Sequence, residues 1–237
     1  MSEPTEGNAK VIECVGVLET MALTATASVR MRTNFSFHQL MAASRLAREV
    51  ADVERRNAGQ EFGAFYETIF GSSLGCIVLS LAGAEAYVNE LFADRAEHFT
   101  AHDRMLLDLL WKEYEEQRLL DKFDLAHRLR AGTPLDRGAE HVQAMDRLMR
   151  LRNGIVHFKP EWDDEAANHE KLSKQLEGYV ARSPWLLNEL LFPRAWATTG
   201  TATWAIAIVL TFVAKFSIST GLPDRLGLHR DSFAAGI

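Results

Sequence analysis

Proline and cysteine are scarce in this chain of 237 residues, which contains 6 prolines and 2 cysteines. Because proline ends or kinks a helix, so few prolines leave room for long helices. Cys14 and Cys76 lie far apart among apolar neighbours, so they provide neither a disulfide framework nor a zinc-binding spacing. The first residues carry no basic start and no early apolar run, which predicts no signal peptide. We therefore expect a cytoplasmic protein.

Positive charge is also in short supply. The formal net charge is −6 at pH 7, which argues against a protein that coats nucleic acid without specificity. Residues 122–159 depart from this balance, because they contain eight Lys or Arg against four Asp or Glu. Such a basic segment suits phosphate groups at modest affinity, and an ordinary solvated helix face explains it equally well.

Long uncharged runs are few, and two of them require a membrane test. Residues 68–84 and 195–214 contain no charged side chain, and the second run has 20 residues, enough to cross a bilayer. It also carries five threonines and a glycine, whereas the first run is short and rich in serine and glycine. This polarity favours buried core helices, with a membrane span as the alternative.

Most of the chain has helical patterning, which predicts an all-α helical bundle with a small N-terminal β-hairpin. Polar and apolar residues alternate strictly in 23–32, and residues 11–18 are a weaker candidate strand. We divide the chain into an N-terminal extension (1–35), a helical domain (36–220) and an irregular tail (221–237). Helices are predicted at 36–56, at 61–99 with a break near 71–73, and at 102–120, 121–130, 140–158, 164–180 and 195–217.

Two charged side chains are predicted to lie within apolar helix faces. At 100° per residue, Arg152 falls between Met145 and Leu148 at the centre of the apolar stripe of its helix. Glu85 has the same position on an earlier helix, with Asn89 close by on that face. A charge at such a site is costly unless it is paired or reached by water. We predict an ion pair between Glu85 and Arg152, serving either to join two core helices or to support an active site with Asn89.

The segment around Arg152 contains the residue types needed to cut RNA without a metal. Arg152 and Asn153 are followed by His157 and then by Phe158-Lys159-Pro160. A guanidinium binds a phosphate through two parallel hydrogen bonds, and an imidazole transfers protons near neutral pH. Attack by the ribose 2′-OH needs little more than these two groups. The alternative for a single histidine at a helix end is a surface or capping residue.

This arrangement resembles the RxxxxH motif of the HEPN superfamily, whose members are small all-α domains and include many metal-independent endoribonucleases. The resemblance covers roughly residues 36–217 and implies that Arg152, Asn153 and His157 are catalytic. Arg150 and Lys159 would then bind flanking phosphates of RNA. The resemblance also implies a homodimer in which two motifs share one cleft, and a role in toxin–antitoxin or phage-defence systems with an antitoxin or defence partner. It implies no cofactor and no metal.

A second function remains open at this stage. The same superfamily includes non-catalytic members that bind nucleotides or protein partners, and a fold does not fix an activity. In that case Glu85 and Arg152 would be structural and His157 incidental. The acidic net charge favours this reading, whereas the intact Arg152, Asn153 and His157 favour the nuclease.

Overall fold

The computed structural model describes residues 32–162 and 165–234 of the chain. These residues are mostly helical and contain no strand, which confirms the predicted all-α class. The predicted N-terminal hairpin lies outside the described residues. The described residues from Thr33 onward belong to one compact unit. Its helices are α1 (Phe35–Arg56), α2 (Phe65–Ala93), α3 (Arg95–His98), α4 (Arg104–Tyr114), α5 (Leu119–Ala131), α6 (Glu140–Val156), α7 (Ala167–Leu176), α8 (Thr199–Thr220) and α9 (Arg230–Ala234).

Side chains and glycines at the helix ends explain several of these boundaries. Asp103 caps α4, because its carboxylate accepts hydrogen bonds from the backbone N–H groups of Met105 and Leu106, at 2.9 and 3.1 Å. Thr198 caps α8 in the same way, accepting from the Thr201 N–H at 3.1 Å. Gly132 and Gly221 end α5 and α8 in the left-handed conformation, with φ of 71° and 67°.

Several boundaries differ from the sequence prediction; α7, for example, covers Ala167–Leu176 against the predicted 164–180. Helix α2 runs without a break through Gly71, since the buried Ile69, Ser72 and Ser73 pack this turn into the fold where helix propensity is low. The predicted helix 102–120 ends early, because α4 stops at Tyr114, and α5 begins at Leu119, two residues before the predicted helix 121–130. In place of an irregular tail, Gly227–His229 form a 3₁₀ turn that leads into α9. Phe233 of α9 is buried, and its carbonyl accepts a hydrogen bond from Ser44 of α1 at 3.0 Å.

Helices α1 and α2 form a closely packed antiparallel pair. A Cβ added at Gly75 would lie 2.7 Å from Leu46 Cδ1, and one added at Gly83 would lie 2.9 Å from Leu40 Cγ. The missing side chains therefore allow the two backbones to approach. The start of α1 is fixed by α2 as well: Ser36 donates its N–H and its hydroxyl to the two carboxylate oxygens of Glu90, at 2.9 and 2.7 Å. This buried carboxylate therefore satisfies donors at the N-terminus of α1.

Helix α8 is the central helix of the unit and contacts α1, α2, α5 and α6. It carries one of the two uncharged runs, and α2 carries the other. Both helices are long and apolar enough to cross a membrane by length and composition alone. Half of the apolar window of α2 and 61% of that of α8 are buried inside the fold, and a helix that is apolar on most sides fits either a protein core or a membrane span.

Candidate functional site

The proposed catalytic residues lie at the C-terminal end of α6. Arg152 and Asn153 are in its last turn, and His157 follows as the residue that ends the helix, its N–H donating to Asn153 O at 2.9 Å. Arg152 is half-buried, whereas Asn153 and His157 are exposed. Within the described part of the chain, neither the Arg152 guanidinium nor the His157 ring has a hydrogen-bond or ion-pair partner.

Arg152 lies at the edge of the buried face of α6 and not at its centre. The buried residues of this helix are Val142, Met145, Leu148 and Leu151, which follow one another at intervals of three residues. A three-residue step covers about 300° on a 3.6-residue helix, so the buried face rotates around the axis toward the C-terminus. Val156, in the last turn, is accordingly 50% exposed. The last turn of α6 thus brings Arg152 to the surface of a cleft.

This motif cleft lies between α2, α5 and α6 and has a volume of about 550 Å³. Its lining is mostly polar. The side chains that line it include several of the proposed site residues and also further arginines. Its charged and amide lining consists of Glu85, Gln117, Arg118, Asp121, Arg137, Asp146, Arg150, Arg152 and Asn153. Of the residues predicted from sequence, Glu85, Arg150, Arg152 and Asn153 are therefore brought together, while Asn89, His157 and Lys159 lie outside the lining.

The predicted ion pair between Glu85 and Arg152 is replaced by a different one. Glu85 Oε1 accepts a hydrogen bond from Lys122 Nζ of α5 at 2.8 Å, and Lys122 also donates to Asn89 Oδ1 at 3.3 Å. Among the described residues, no ion pair joins Glu85 to Arg152. The reason is that α5, not α6, places a cation beside this part of α2. Glu85 and Arg152 share the motif cleft without pairing.

Lys122 is the buried charge that sequence analysis missed. Its side chain is 3% exposed, against 41% for that of Glu85, and its ammonium lies 5.9 Å from the centroid of the Trp111 ring. The signal was present in the sequence, because Lys122 is within about 60° of Leu119 and Ala126 on the wheel of α5. Both of those residues are buried.

The unequal burial of Glu85 and Lys122 predicts that replacing each of them changes the free energy of unfolding by a different amount. Glu85→Ala is expected to lower the free energy of unfolding by about 1–3 kcal/mol, because it leaves the Lys122 ammonium buried without its carboxylate. Lys122→Met is expected to be close to neutral, since an apolar chain of similar length replaces the buried charge. Urea denaturation of both variants measures the difference, and a larger loss in Lys122→Met would contradict it.

The two residues proposed to bind flanking phosphates have different surroundings. Arg150 lines the motif cleft, where its Nε donates to Asp146 Oδ2 at 2.8 Å across one helical turn. An exposed pair of this kind contributes little to stability, so the guanidinium is available to a phosphate. Lys159 is exposed beyond the end of α6, and its carbonyl accepts a hydrogen bond from His169 Nε2 at 3.0 Å.

Residues after His157 are fixed to the start of α7. Glu161 accepts hydrogen bonds from the backbone N–H groups of Asn168 and His169, each at 3.1 Å, and from the Asn168 side chain. The Asn168 side chain and then the His169 N–H stabilise the ionised carboxyl, which lowers the pKa of Glu161. Phe158 stacks on the His169 ring, with centroids 5.4 Å apart. The position of the chain just beyond His157 is therefore set by α7.

Gly154, inside the motif, determines how closely α6 packs. A Cβ at this position would lie 2.5 Å from Leu172 Cδ2 of α7 and 3.3 Å from the ring of Phe192. The glycine thus allows the last turn of α6 to rest against α7 and the segment Leu191–Ala195, in which Phe192 has an extended backbone with φ of −100° and ψ of 136°. This role of Gly154 could not be predicted from the sequence, because close approach between helices has no local signature.

Replacement of this glycine gives a prediction with an internal control. Gly154→Ala is expected to lower stability by about 1 kcal/mol, because the overpacking cost of about 1–3 kcal/mol exceeds the gain of about 1 kcal/mol in helix propensity. Gly71→Ala in α2, where a Cβ meets nothing within 4 Å, is expected to raise stability by as much as about 1 kcal/mol. Thermal unfolding of both variants checks the opposite signs, and shifts of the same sign would contradict the packing role.

The described residues offer no second catalytic centre based on a cysteine nucleophile or a metal cluster. Burial raises the pKa of the Cys76 thiol to about 12, so this cysteine stays protonated at neutral pH and is inert as a nucleophile. In residues 32–162 and 165–234, no group of three or more His, Cys, Asp or Glu side chains is placed to bind a metal ion. The polar motif cleft is therefore the site whose chemistry the proposal below uses.

Comparison of the chain with protein-family models, with curated proteins and with solved structures gives no match in any of the three.

Proposed function

We propose that this protein is a metal-independent endoribonuclease of the HEPN type and that its helices form a HEPN-like bundle. The observation that carries the proposal is the state of Arg152. Its half-buried guanidinium lines the motif cleft beside Asn153 and has no carboxylate partner among the described residues. A partly desolvated cation without a partner is costly, which supports an anionic ligand. A phosphodiester matches the two parallel donors of a guanidinium.

The proposed reaction uses three side chains of the α6 terminus. His157 removes the proton of a ribose 2′-OH, and the 2′ oxygen bonds to phosphorus while the bond from phosphorus to the 5′ oxygen breaks. The 5′ oxygen leaves as a hydroxyl after taking a proton from the protonated His157 or from water, and a 2′,3′-cyclic phosphate remains on the other product. Arg152 stabilises the charge that develops on the non-bridging oxygens, and Asn153 orients His157 or contacts the phosphate.

Incubation of the purified chain with unstructured RNA, with and without EDTA, tests this proposal. Unpaired RNA is the substrate class because its bases and 2′-OH groups are accessible. Cleavage is expected to continue in EDTA, since the reaction relies on the ribose hydroxyl as nucleophile. The products are expected to end in a 2′,3′-cyclic phosphate or its hydrolysis product. Cleavage that needs Mg²⁺ would contradict the proposal.

A homodimer is the assembly that this function predicts, with two motifs in one cleft. Exposed apolar side chains lie near His157 in sequence: Val156 and Phe158 are about half exposed, and Trp162 is 79% exposed. Burying them between two copies removes apolar area from water, and the partner copy can orient the exposed His157 ring. Sedimentation at tens of micromolar is expected to give a dimer mass. A monomer at that concentration would count against a shared site.

A non-catalytic interaction module is the second candidate. It is favoured by the His157 ring, which has no hydrogen-bond partner within the described residues, whereas a catalytic histidine is normally oriented by a neighbour. In this case the exposed apolar residues near His157 would contact a protein partner. The RNA incubation separates the two candidates, since a module of this kind releases no product.

The cellular setting follows from the same proposal. We place the protein in the cytoplasm, without a membrane span, and in a toxin–antitoxin or phage-defence system with RNA as the substrate. Purification of the full chain without detergent tests the location, because a spanning α2 or α8 would require detergent. An antitoxin or nucleotidyltransferase gene beside its own would support the toxin role.

A further inference from the structure

A second cleft adjoins the motif cleft on α6. This α6–α7 cleft has a volume of about 660 Å³ and is lined by residues that include Arg137, Gln143, Arg147, Gln175 and Tyr179. Leu120, Arg137, Asp146 and Arg150 line both clefts, so the two are continuous along the solvent side of α6. A chain-like ligand bound at Arg152 can therefore extend into the α6–α7 cleft.

Arg147 is the arginine of this cleft that pairs with no carboxylate among the described residues. Its Cζ lies 3.8 Å from the centroid of the Tyr179 ring, and no carboxylate is within ion-pair distance in the described part of the chain. A guanidinium that rests on an aromatic face keeps its N–H donors, which lie in its own plane, for another acceptor. Contact with the ring also limits its rotamers, so little side-chain entropy remains to be lost on binding.

The charge balance around Arg147 favours an anion. The lining contains three arginines, Arg137, Arg147 and Arg150, against one carboxylate, Asp146. Two of the three are already paired, because Arg150 binds Asp146 and Arg137 binds Asp121 at 2.8 Å. The cleft is thus locally positive on a chain of net charge −6. The uncommitted charge at its centre is that of Arg147.

The remaining polar lining suits a nucleotide better than a bare anion. Gln143 and Gln175 provide amide groups that both donate and accept hydrogen bonds, as the edges of a base require. Tyr179 is 47% exposed and presents aromatic surface to a base. A phosphate donor, two amides and an aromatic ring lie together in one cleft next to the proposed catalytic residues.

We propose that the α6–α7 cleft is a subsite for an unpaired RNA nucleotide that flanks the cleaved bond, with Arg147 as the phosphate ligand. Gln143, Gln175 and Tyr179 contact the sugar and base of that nucleotide. The choice of RNA rests on the proposed function. The subsite adds a phosphate contact that does not take part in the chemistry, so it contributes to substrate affinity and to the length of RNA that the protein needs.

The test measures binding of a non-cleavable RNA by the full chain. The probe is a fluorescent unstructured oligonucleotide of about 12 nucleotides, a length within the range of single-strand sites, with every 2′-OH methylated so that the nucleophile is absent. Anisotropy titrations over a series of NaCl concentrations give Kd and its salt dependence. Arg147→Ala is expected to weaken binding about tenfold, as the loss of one charged hydrogen bond does. The slope of log Kd against log salt is expected to fall by about 0.7, the value for one phosphate of a single strand.

Arg55→Ala is the matched control. Arg55 is an exposed arginine of α1 that pairs with Asp52 and lines neither cleft, so its removal is expected to change neither Kd nor the salt slope. Arg147→Gln, which keeps a polar side chain on Tyr179, is a second variant in case the alanine lowers the melting temperature. An unchanged Kd and salt slope in both Arg147 variants would overturn the subsite, as would equal losses in Arg55→Ala or no binding by the unmodified chain.

A titration with a mononucleotide distinguishes a site for an RNA strand from a site for a free nucleotide. Adenosine monophosphate is expected to bind far more weakly than the oligonucleotide, and binding of equal strength that depends on Arg147 would overturn the RNA assignment. Failure of the proposed function is distinguishable from failure of the subsite. The former is an absence of cleavage of ordinary RNA, whereas the latter is read from binding of an RNA that cannot be cleaved.

Discussion

Replacement of His157 by alanine is expected to reduce RNA cleavage by about 10²–10⁴-fold, the usual contribution of general acid–base catalysis. The same change is expected to leave the melting temperature almost unaltered. The ring of His157 is exposed and makes no hydrogen bond within the described residues, so its removal deletes neither packing nor a buried partner. Single-turnover cleavage of unstructured RNA measures the loss, and thermal unfolding measures the stability.

His38→Ala is the control for this experiment. His38 is an exposed histidine near the start of α1, outside the motif cleft, and its replacement is expected to leave cleavage unchanged. Cleavage that persists at the original rate in His157→Ala would show that another group transfers the proton. Equal losses in His157→Ala and His38→Ala would indicate a contaminating nuclease, which would remove the support for catalysis by this chain.

The helices could be predicted because their determinants are local. Apolar periodicity and the positions of proline and glycine are sufficient to place α1 and α6 within two residues of the observed bounds. The boundary between α4 and α5 was predicted between residues 120 and 121, a few residues late, because Leu119 and Leu120 continue the apolar pattern of the preceding segment. Their burial comes from α5, a separate element.

The identity of the ion pair at Glu85 could not be predicted from the same information. A helical wheel gives the direction of a side chain about its own axis, and it does not say which helix faces that direction. Glu85 and Arg152 are both directed toward one cleft, as the wheels indicate, but α5 brings Lys122 closer to Glu85. Choosing between Lys122 and Arg152 requires the packing of three helices, which is not a local property.

Only part of the proposed site could be predicted, because the sequence shows which residues share a helix and does not show which helices pack together. Arg152 and Asn153 are neighbours in sequence, so their common place in the motif cleft follows from the helix itself. Arg147 and Tyr179, in contrast, are 32 positions apart and meet only because α7 returns along α6. Tyr179 therefore received no role in the sequence analysis.

Arg152→Ala is expected to reduce RNA cleavage by about 10²–10³-fold while changing stability little. The loss of rate follows from removing a preorganised donor from the charge that develops at phosphorus. A position at the centre of the apolar stripe, as the sequence predicts for Arg152, would give a larger change in stability. Arg152 lies at the edge of the buried face and has no ion-pair partner in the described part of the chain, so its removal leaves no uncompensated charge behind.

Arg152→Lys distinguishes charge from geometry at the same position. Lysine retains the positive charge and lacks the planar fork, so it is expected to recover only a small part of the lost rate. Full recovery would mean that a point charge suffices and that the bidentate contact with phosphate is not made. Arg56→Ala is the control, since Arg56 is an exposed arginine of α1 whose Nε donates to Asp52 O at 3.1 Å, outside the motif cleft. A rate in Arg152→Ala equal to that of this control would leave Arg152 without a role in cleavage, and the interaction module would then be the better account of the motif cleft.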